Sequence, residues 1–459
     1  MGCFLNTMNY LLAIDWTTIG VKAAQFILSF SILILLHEFG HYITAKWFKC
    51  RVEKFYLFFN PWFSLWKKKK GETEYGLGWI PLGGYVKISG MIDESMDKEA
   101  MKQPPKAYEF RSKPAWQRLI IMLGGIIVNI ILAILIFIMI LWVWGKEYLP
   151  PANAKYGIVA DSLAQKAGLK DGDIVLKVGG KQVKNILRIR ADIVYNEGPD
   201  VITVKRGDSI LDLGYDDNLR RKLNSRNAGD FASVRIPFII SKFGKNSTGE
   251  KAGLQKGDRI IAVDNQPALY HNEYLDLVKD KKNVDISVIV VRAGDTLVKS
   301  ARLDMNGKLG VNIETDLKKL GFITEKIKYS FFKAIPAGFR ECWSTLGNYM
   351  KGLKQLFNGK AKASESVGSV FSIGGIYPGE WDWHIFWTLT AVFSIILAFM
   401  NILPIPGLDG GHALFTLAEM ITGRKPSDKF LEYSQIIGMI LLFGLMAYAL
   451  GLDIFRMFK

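Results

Sequence analysis

From Leu119 to Trp144 the chain reads LIIMLGGIIVNIILAILIFIMILWVW, with no ionisable side chain. A run this long and this uniformly apolar has no polar face to turn towards water. It exceeds the roughly 20 residues a helix needs to cross a bilayer, where only helices and closed barrels satisfy their own backbone groups. Arg118 to Trp144 is therefore expected to be a membrane span. Three further stretches qualify: about Val21 to Ala45, Ile385 to Leu403 and Ser434 to Leu450. The apolar run near the N-terminus continues into the first of these, so a cleavable signal peptide is not expected there. Of the 459 residues, 49% are hydrophobic and 22% charged. That balance fits a few spans plus a sizeable polar region.

The net charge of +16 invites a nucleic-acid reading, but no nucleic-acid module is visible. Much of the charge lies beside the spans: Lys46, Lys49, Arg51, Lys54, Lys67 to Lys70, Arg111, Lys113 and Arg118. By the positive-inside rule this loop is expected to be cytoplasmic. Both termini and the region Gly145 to Trp383 then lie outside. The cysteines Cys3, Cys50 and Cys342 form no CxxC pair, so neither a cysteine zinc site nor a disulfide framework is expected.

The outer region repeats itself. DSLAQKAGLKDGDIVLKVGGKQV (Asp161 to Val183) and NSTGEKAGLQKGDRIIAVDNQPA (Asn246 to Ala268) align Ala167, Gly168, Leu169, Gly172 and Asp173 with Ala252, Gly253, Leu254, Gly257 and Asp258. Copy and spacing predict two tandem modules. Each motif reads as a short helix ending at glycine, a Gly-Asp turn and a strand. This pattern resembles the AGL-x-x-GD-x-I-x-x-V core of PDZ domains, which add an extended peptide to a sheet edge. On that resemblance Tyr156, Gly157, Ile158 and Val159 are the candidate carboxylate loop and edge strand of the first module. Arg235, Ile236, Pro237 and Phe238 are their counterparts in the second. Capture of peptide C-termini and simple steric fencing of the membrane site are both open roles. Beyond the modules, Lys326 to Phe357 reads as an amphipathic helix on the outer leaflet, or as a linker helix packed on the second module. Pro336 is expected to break or kink it.

The first span contains LLHEFGHYITAKW. In this H-E-x-x-H pattern, His37 and His41 share one helix face and can hold one metal ion. Glu38 can act as general base towards a water on that ion. Two histidines and a glutamate in an apolar span are costly without partners. The plain alternative is a pair of histidines hydrogen-bonding between helices. A catalytic zinc keeps three protein ligands and an open position. The third candidate lies in MNILPIPGLDGGHALF, where Asp409 follows a Pro- and Gly-rich break of the kind tolerated beside buried cavities. His412 competes with it; His384 and His271 are poorly placed.

HEFGH in the first span, NILPIPGLDGGH in the third, and a PDZ-like pair between the second and third spans together resemble the site-2 protease family. The resemblance covers nearly the whole chain. It implies an α-helical membrane protein of four transmembrane helices, with a membrane-associated β-hairpin and two tandem extracytoplasmic PDZ-like α/β domains. It implies one zinc ion per chain on His37, His41 and Asp409, with Glu38 as catalytic base. The activity it implies is cleavage of single-span membrane proteins in the bacterial inner membrane, with periplasmic PDZ domains. YGLGWIPLGGYVKISG (Tyr75 to Gly90) resembles the family's hairpin, and Gly83, Gly84, Tyr85 and Val86 are expected to pair with an unwound substrate strand. Asn401 matches the family asparagine before the proline break; it either polarises the scissile carbonyl or binds substrate backbone, or caps the broken helix. Where the family often has a glycine-proline pair, this chain has Gly124-Gly125-Ile126, with Asn129 following.

The expected division is 1–45 for the first span, 46–117 for the loop with the hairpin, and 118–145 for the second span. The modules follow at 152–230 and 231–316, the amphipathic helix and linker at 317–384, and the third and fourth spans at 385–459. A different class also fits: a membrane scaffold whose modules bind C-termini, with a vestigial metal site. The presence of Glu38 argues against it, because a structural zinc site needs no base.

Overall fold

The computed structural model describes residues 16–91, 104–225, 228–359, 362, 364 and 368–457. Cys3 and the first residues of the expected first-span region lie outside them. The described residues form two compact units. The first draws on Met1–Gly145, Lys328–Met350 and Val367–Lys459; the second on Lys146–Ile327 and Lys351–Ser366.

The first unit contains four helices long and apolar enough to span a membrane: α1 (Trp16–Trp47), α2 (Ala115–Val143), α4 (Trp383–Ile402) and α6 (Asp428–Met457). Between the second and third of these runs α3 (Phe331–Phe357), and after α4 comes α5 (Asp409–Thr422). Glycines let α1 and α2 meet closely: a Cβ on Gly124 would lie 2.6 Å from the Gly40 carbonyl oxygen and 2.7 Å from Thr44 Oγ1. The helix α3 is not broken at Pro336. This proline stands in the second turn, where one missing N–H interrupts the ladder only locally. Its small residues Ala334, Ala337 and Gly338 pack on α2 around Ile138, while Phe332, Phe339 and Trp343 stay exposed.

Tyr75 to Gly90 is not a hairpin. The loop after α1 folds as a four-stranded sheet of β1 (Val52–Phe59), β2 (Trp66–Lys70), β3 (Thr73–Leu77) and β4 (Ile80–Ile88), in the order β2-β3-β1-β4. The strand β3 lies parallel to β1, and β4 lies antiparallel on its other side. The Gly78 and Trp79 amides bond to the Leu57 and Phe59 carbonyls at 2.8 and 3.1 Å, so the chain crosses the end of β1 instead of turning back. This leaves β4 as an edge strand. At Gly84 it runs so close to α1 that a Cβ would lie 2.9 Å from Ile34 Cγ2 and 3.3 Å from Glu38 Cγ.

The second unit contains two similarly built modules, each with its own apolar core. The Gly-Asp turn has the same structural role in both. Asp173 takes Arg206 through Nε and Nη2 at 2.8 Å each and caps the Lys170 amide; Asp258 takes Arg292 at 2.7 Å twice and caps the Gln255 amide. Each arginine also bonds the carbonyl of the preceding motif glycine, Gly168 or Gly253. The region after the second module is not simply linker. Leu320 and Phe322 complete the core of the first module, and β18 (Glu325–Ile327) pairs with β5 (Lys146–Tyr148).

The expected edge strands are also corrected. Ile158 in β6 (Ile158–Ala160) bonds to Asp173 and Gly172 on one side, while the strand pairs with β11 (Ala232–Val234) on the other. Phe238 and Ile239 in β12 (Phe238–Phe243) pair with β13 (Arg259–Val263), and the rest of the strand pairs with β17 (Val311–Ile313). The Arg235 amide is held by the Gly157 carbonyl, and its guanidinium lies over the Tyr270 ring. Ile158, Val159 and Phe238 thus already have strand partners within the modules. Among the described residues, β11 and β17 are the outer strands next to these segments, while Ser209–Gly214 and Asp295–Arg302 end the modules' sheets elsewhere.

Candidate metal centre

His37 and His41 stand one turn apart on α1, both buried, with their rings edge to face at 4.9 Å. Asp409 opens α5 after the sequence Leu403 to Leu408 turns the chain back. That turn needs its glycines. Gly407 holds φ 95, and a Cβ on Gly411 would lie 2.6 Å from the Ile405 carbonyl oxygen. A partly buried ion pair between Arg118 on α2 and Glu419 further along α5 holds this helix in place.

The three side chains converge on one point. Asp409 Oδ2 lies 3.2 Å from Nε2 of His37 and 3.2 Å from Nε2 of His41, and the two Nε2 atoms are 3.4 Å apart. These are the described residues that meet as a metal-ligand group. Ligand atoms at the corners of a tetrahedron about 2.0–2.1 Å from zinc lie about 3.3–3.4 Å from one another. The spacing therefore fits zinc.

The outer contacts of the rings agree. His41 Nδ1–H donates to the Ile121 carbonyl at 2.8 Å, which leaves Nε2 as a bare lone pair. His37 Nδ1 lies 3.2 Å from the side-chain amide of the fully buried Asn129 on α2. Asn129 Oδ1 otherwise has no partner, so the amide is read with its oxygen accepting from His37 Nδ1–H. Asp409 Oδ2 is buried without a hydrogen-bond partner among the described residues. With those tautomers the two Nε2 atoms and Asp409 Oδ2 turn three lone pairs towards one point, an arrangement that a cation satisfies.

A cleft of about 570 Å³ opens on this point. Glu38 lines it next to His37, as do Gly83, Gly84, Tyr85 and Val86 from β4. Asn401 enters from the end of α4, its Nδ2 3.3 Å from His37 Nε2. The competing ligand His412 also reaches the cleft, but its Nε2 lies 3.0 Å from Gln435 Oε1 on α6. His384 packs near Trp144, and His271 lies edge-on to Phe238 in the second module, where burial lowers its pKa. Tyr156 to Val159 and Arg235 to Phe238 do not line the cleft.

The sequence carried a signal for Asn129 that the spacing argument did not use. It is a lone amide in the most apolar run of the chain, and such residues face the bundle interior and find partners. Gly125 has no such signal; only the fold shows it lying beneath both histidines.

A sequence model described as peptidase family M50 matches residues 25–445. The chain is similar to the regulator of sigma-E protease RseP of Salmonella typhimurium (strain 14028s / SGSC 2262): 29% identical over 454 residues, covering 95% of this chain and 98% of the relative. It is equally similar to the regulator of sigma-E protease RseP of Escherichia coli (strain K12), 29% identical over 456 residues, with the same two coverages.

Proposed function

The chain belongs to peptidase family M50, the site-2 protease family, and is a zinc metalloprotease; from that premise we propose that it hydrolyses peptide bonds in the membrane-embedded segments of single-span proteins. The observation that carries this reading is the triangle of His37, His41 and Asp409, closed to 3.2–3.4 Å and opening on a cleft edged by a strand. His37, His41 and Asp409 hold the zinc, which when bound supplies a Lewis acid and lowers the pKa of its water towards neutrality.

In this mechanism Glu38 takes the proton of the attacking water and passes it to the leaving nitrogen. Asn401 directs its amide N–H at the developing carbonyl oxygen. The free edge of β4 at Gly83 to Val86 pairs with substrate backbone, so a segment that is helical in lipid unwinds and exposes its scissile bond. The two modules are PDZ-like domains on the extracytoplasmic side of a bacterial inner membrane. They act as a gate, with β11 and β17 as the edges open to peptide C-termini.

The test is Glu38→Gln, measured on a single-span reporter substrate in detergent or proteoliposomes. Cleavage stops while zinc content and folding persist. Continued cleavage removes Glu38 from the reaction; a wild-type chain that binds zinc and C-terminal peptides but cleaves nothing favours the scaffold reading.

A further inference from the structure

The sheet beside the metal centre has a second edge. Strand β2 reads Trp66-Lys67-Lys68-Lys69-Lys70, and all five residues are exposed. Among the described residues it pairs only with β3. Other lysines of this region have partners: Lys46 lies by Glu72, and Lys87 by Glu53. None of the four β2 lysines has an ion pair or side-chain hydrogen bond within the described chain. Four adjacent ammonium groups repel one another and call for anions from outside the protein.

The connection between β1 and β2 is an aromatic tip. Trp62 is 90% exposed, and Phe63, Leu65 and Trp66 are each more than half exposed. The Trp62 and Phe63 rings stack on Trp79 at 6.1 and 5.6 Å, and Trp79 Nε1 donates to the Pro61 carbonyl. Trp62 is held at φ 71, a conformation a bulky residue adopts only when its surroundings impose it. A fixed cluster of outward aromatics is the composition of a membrane interface.

Strand pairing sets the level of each residue along the first span. Gly84 lies against Ile34 and Glu38 of α1, Leu57 pairs with both Gly84 and Leu77, and Leu77 pairs with Trp66. Trp66 therefore stands level with the middle of α1. At the other end Lys70 pairs with Thr73, whose hydroxyl donates to the Val52 carbonyl just beyond the end of α1 at Trp47. The lysines thus climb about 10 Å, from the interior level of the span to its end. Near that end an ammonium extends along its apolar stem to the headgroups.

We infer that β2 and the aromatic tip form a docking site for anionic phospholipids: Trp62, Phe63 and Trp66 lie among acyl chains, and Lys67 to Lys70 bind headgroup phosphates. The inference rests on the four apolar helices being membrane spans. Its consequence is that lipid charge anchors the same sheet whose opposite edge, β4, lines the cleft.

The test uses the full chain in nanodiscs of phosphatidylcholine, with or without phosphatidylglycerol. An acetylating reagent is pulsed and each lysine is read by mass spectrometry. Lys67 to Lys70 are acetylated severalfold more slowly in the anionic discs, and the difference shrinks as salt rises; Lys87, already paired, changes little. Spin-labelled phosphatidylglycerol associates with the chain in preference to phosphatidylcholine, and K67Q/K68Q/K69Q/K70Q loses that preference, by up to about fivefold per lysine. Equal acetylation in the two lipids overturns the inference, including equal protection by phosphatidylcholine, and this arm needs no variant to fold. An unchanged lipid preference in the quadruple variant overturns it as well.

Discussion

A methyl group added at Gly125 should loosen the metal centre from beneath. A Cβ there would lie 2.6 Å from His37 Cε1, His37 Nδ1 and His41 Nε2, where ordinary contact begins at 3.4 Å. Gly125→Ala therefore asks two imidazoles to retreat by about 0.8 Å, against a tolerance in metal–ligand distances of about 0.2 Å. Neither ring is free to comply: His41 Nδ1 is tied to the Ile121 carbonyl at 2.8 Å, and His37 Nδ1 to the Asn129 amide at 3.2 Å. Overpacking of this kind costs about 1–3 kcal/mol. If that cost falls on the ligand geometry, zinc affinity drops about 5- to 150-fold. The assay is chelator titration of purified wild type and variant with zinc content read by elemental mass spectrometry, alongside reporter cleavage at saturating zinc. Gly347→Ala is the control, because a Cβ there meets nothing within 4 Å. The reasoning fails if G125A, folded as wild type, releases zinc at the same chelator concentration as the control.

Asn129→Ala removes the partner of His37 Nδ1 and should weaken zinc retention by about 10- to 100-fold while leaving the ligands in place; chelator titration reads this, and Asn129→Asp, which keeps an acceptor, should recover most of it. In the second module, burial raises the Asp258 carboxyl, but the Arg292 guanidinium and the Gln255 N–H outweigh it and hold the pKa below its ordinary value. This contribution to stability is complete above the unfolded aspartate pKa of about 3.9 and is lost as pH falls through the lower folded value. The protection factors of the Arg259–Val263 amides, corrected for the intrinsic pH dependence of exchange, should therefore fall on acidification below about pH 4, more steeply than in Asp258→Asn. Deleting Asn153 to Asp316 should let substrates with bulky outer domains be cut while single-span substrates are still cleaved; abolition of all cleavage in a folded deletion would remove the gating role.

The sequence alone determined the features whose physics is local. Transfer of side chains into lipid adds residue by residue, so the lengths of apolar runs identified the four helices among the described residues that are long and apolar enough to span a membrane. One helical turn separates His37 from His41 whatever surrounds them, so their pairing was legible. The Gly-Asp repeat was visible because each copy builds the same tight turn. The remaining features need the packed fold, because they depend on groups far apart in the chain. Asp409 rather than His412 lies against the two histidines because the glycine turn after α4 and the Arg118–Glu419 pair carry its carboxylate there, while Gln435 meets His412. Arg206 and Arg292 emerge as partners of the repeat aspartates, and Asn129 as the partner of His37, only once helices and strands pack. Strand order follows the same rule. The family resemblance marked Tyr75 to Gly90 as β structure, but the neighbours of β3 and β4 are set by where β1 lies between them, and the outer strands beside the module repeats by which strands β6 and β12 already pair. Pairing is a long-range choice among many possible neighbours, and no local period in the sequence records it.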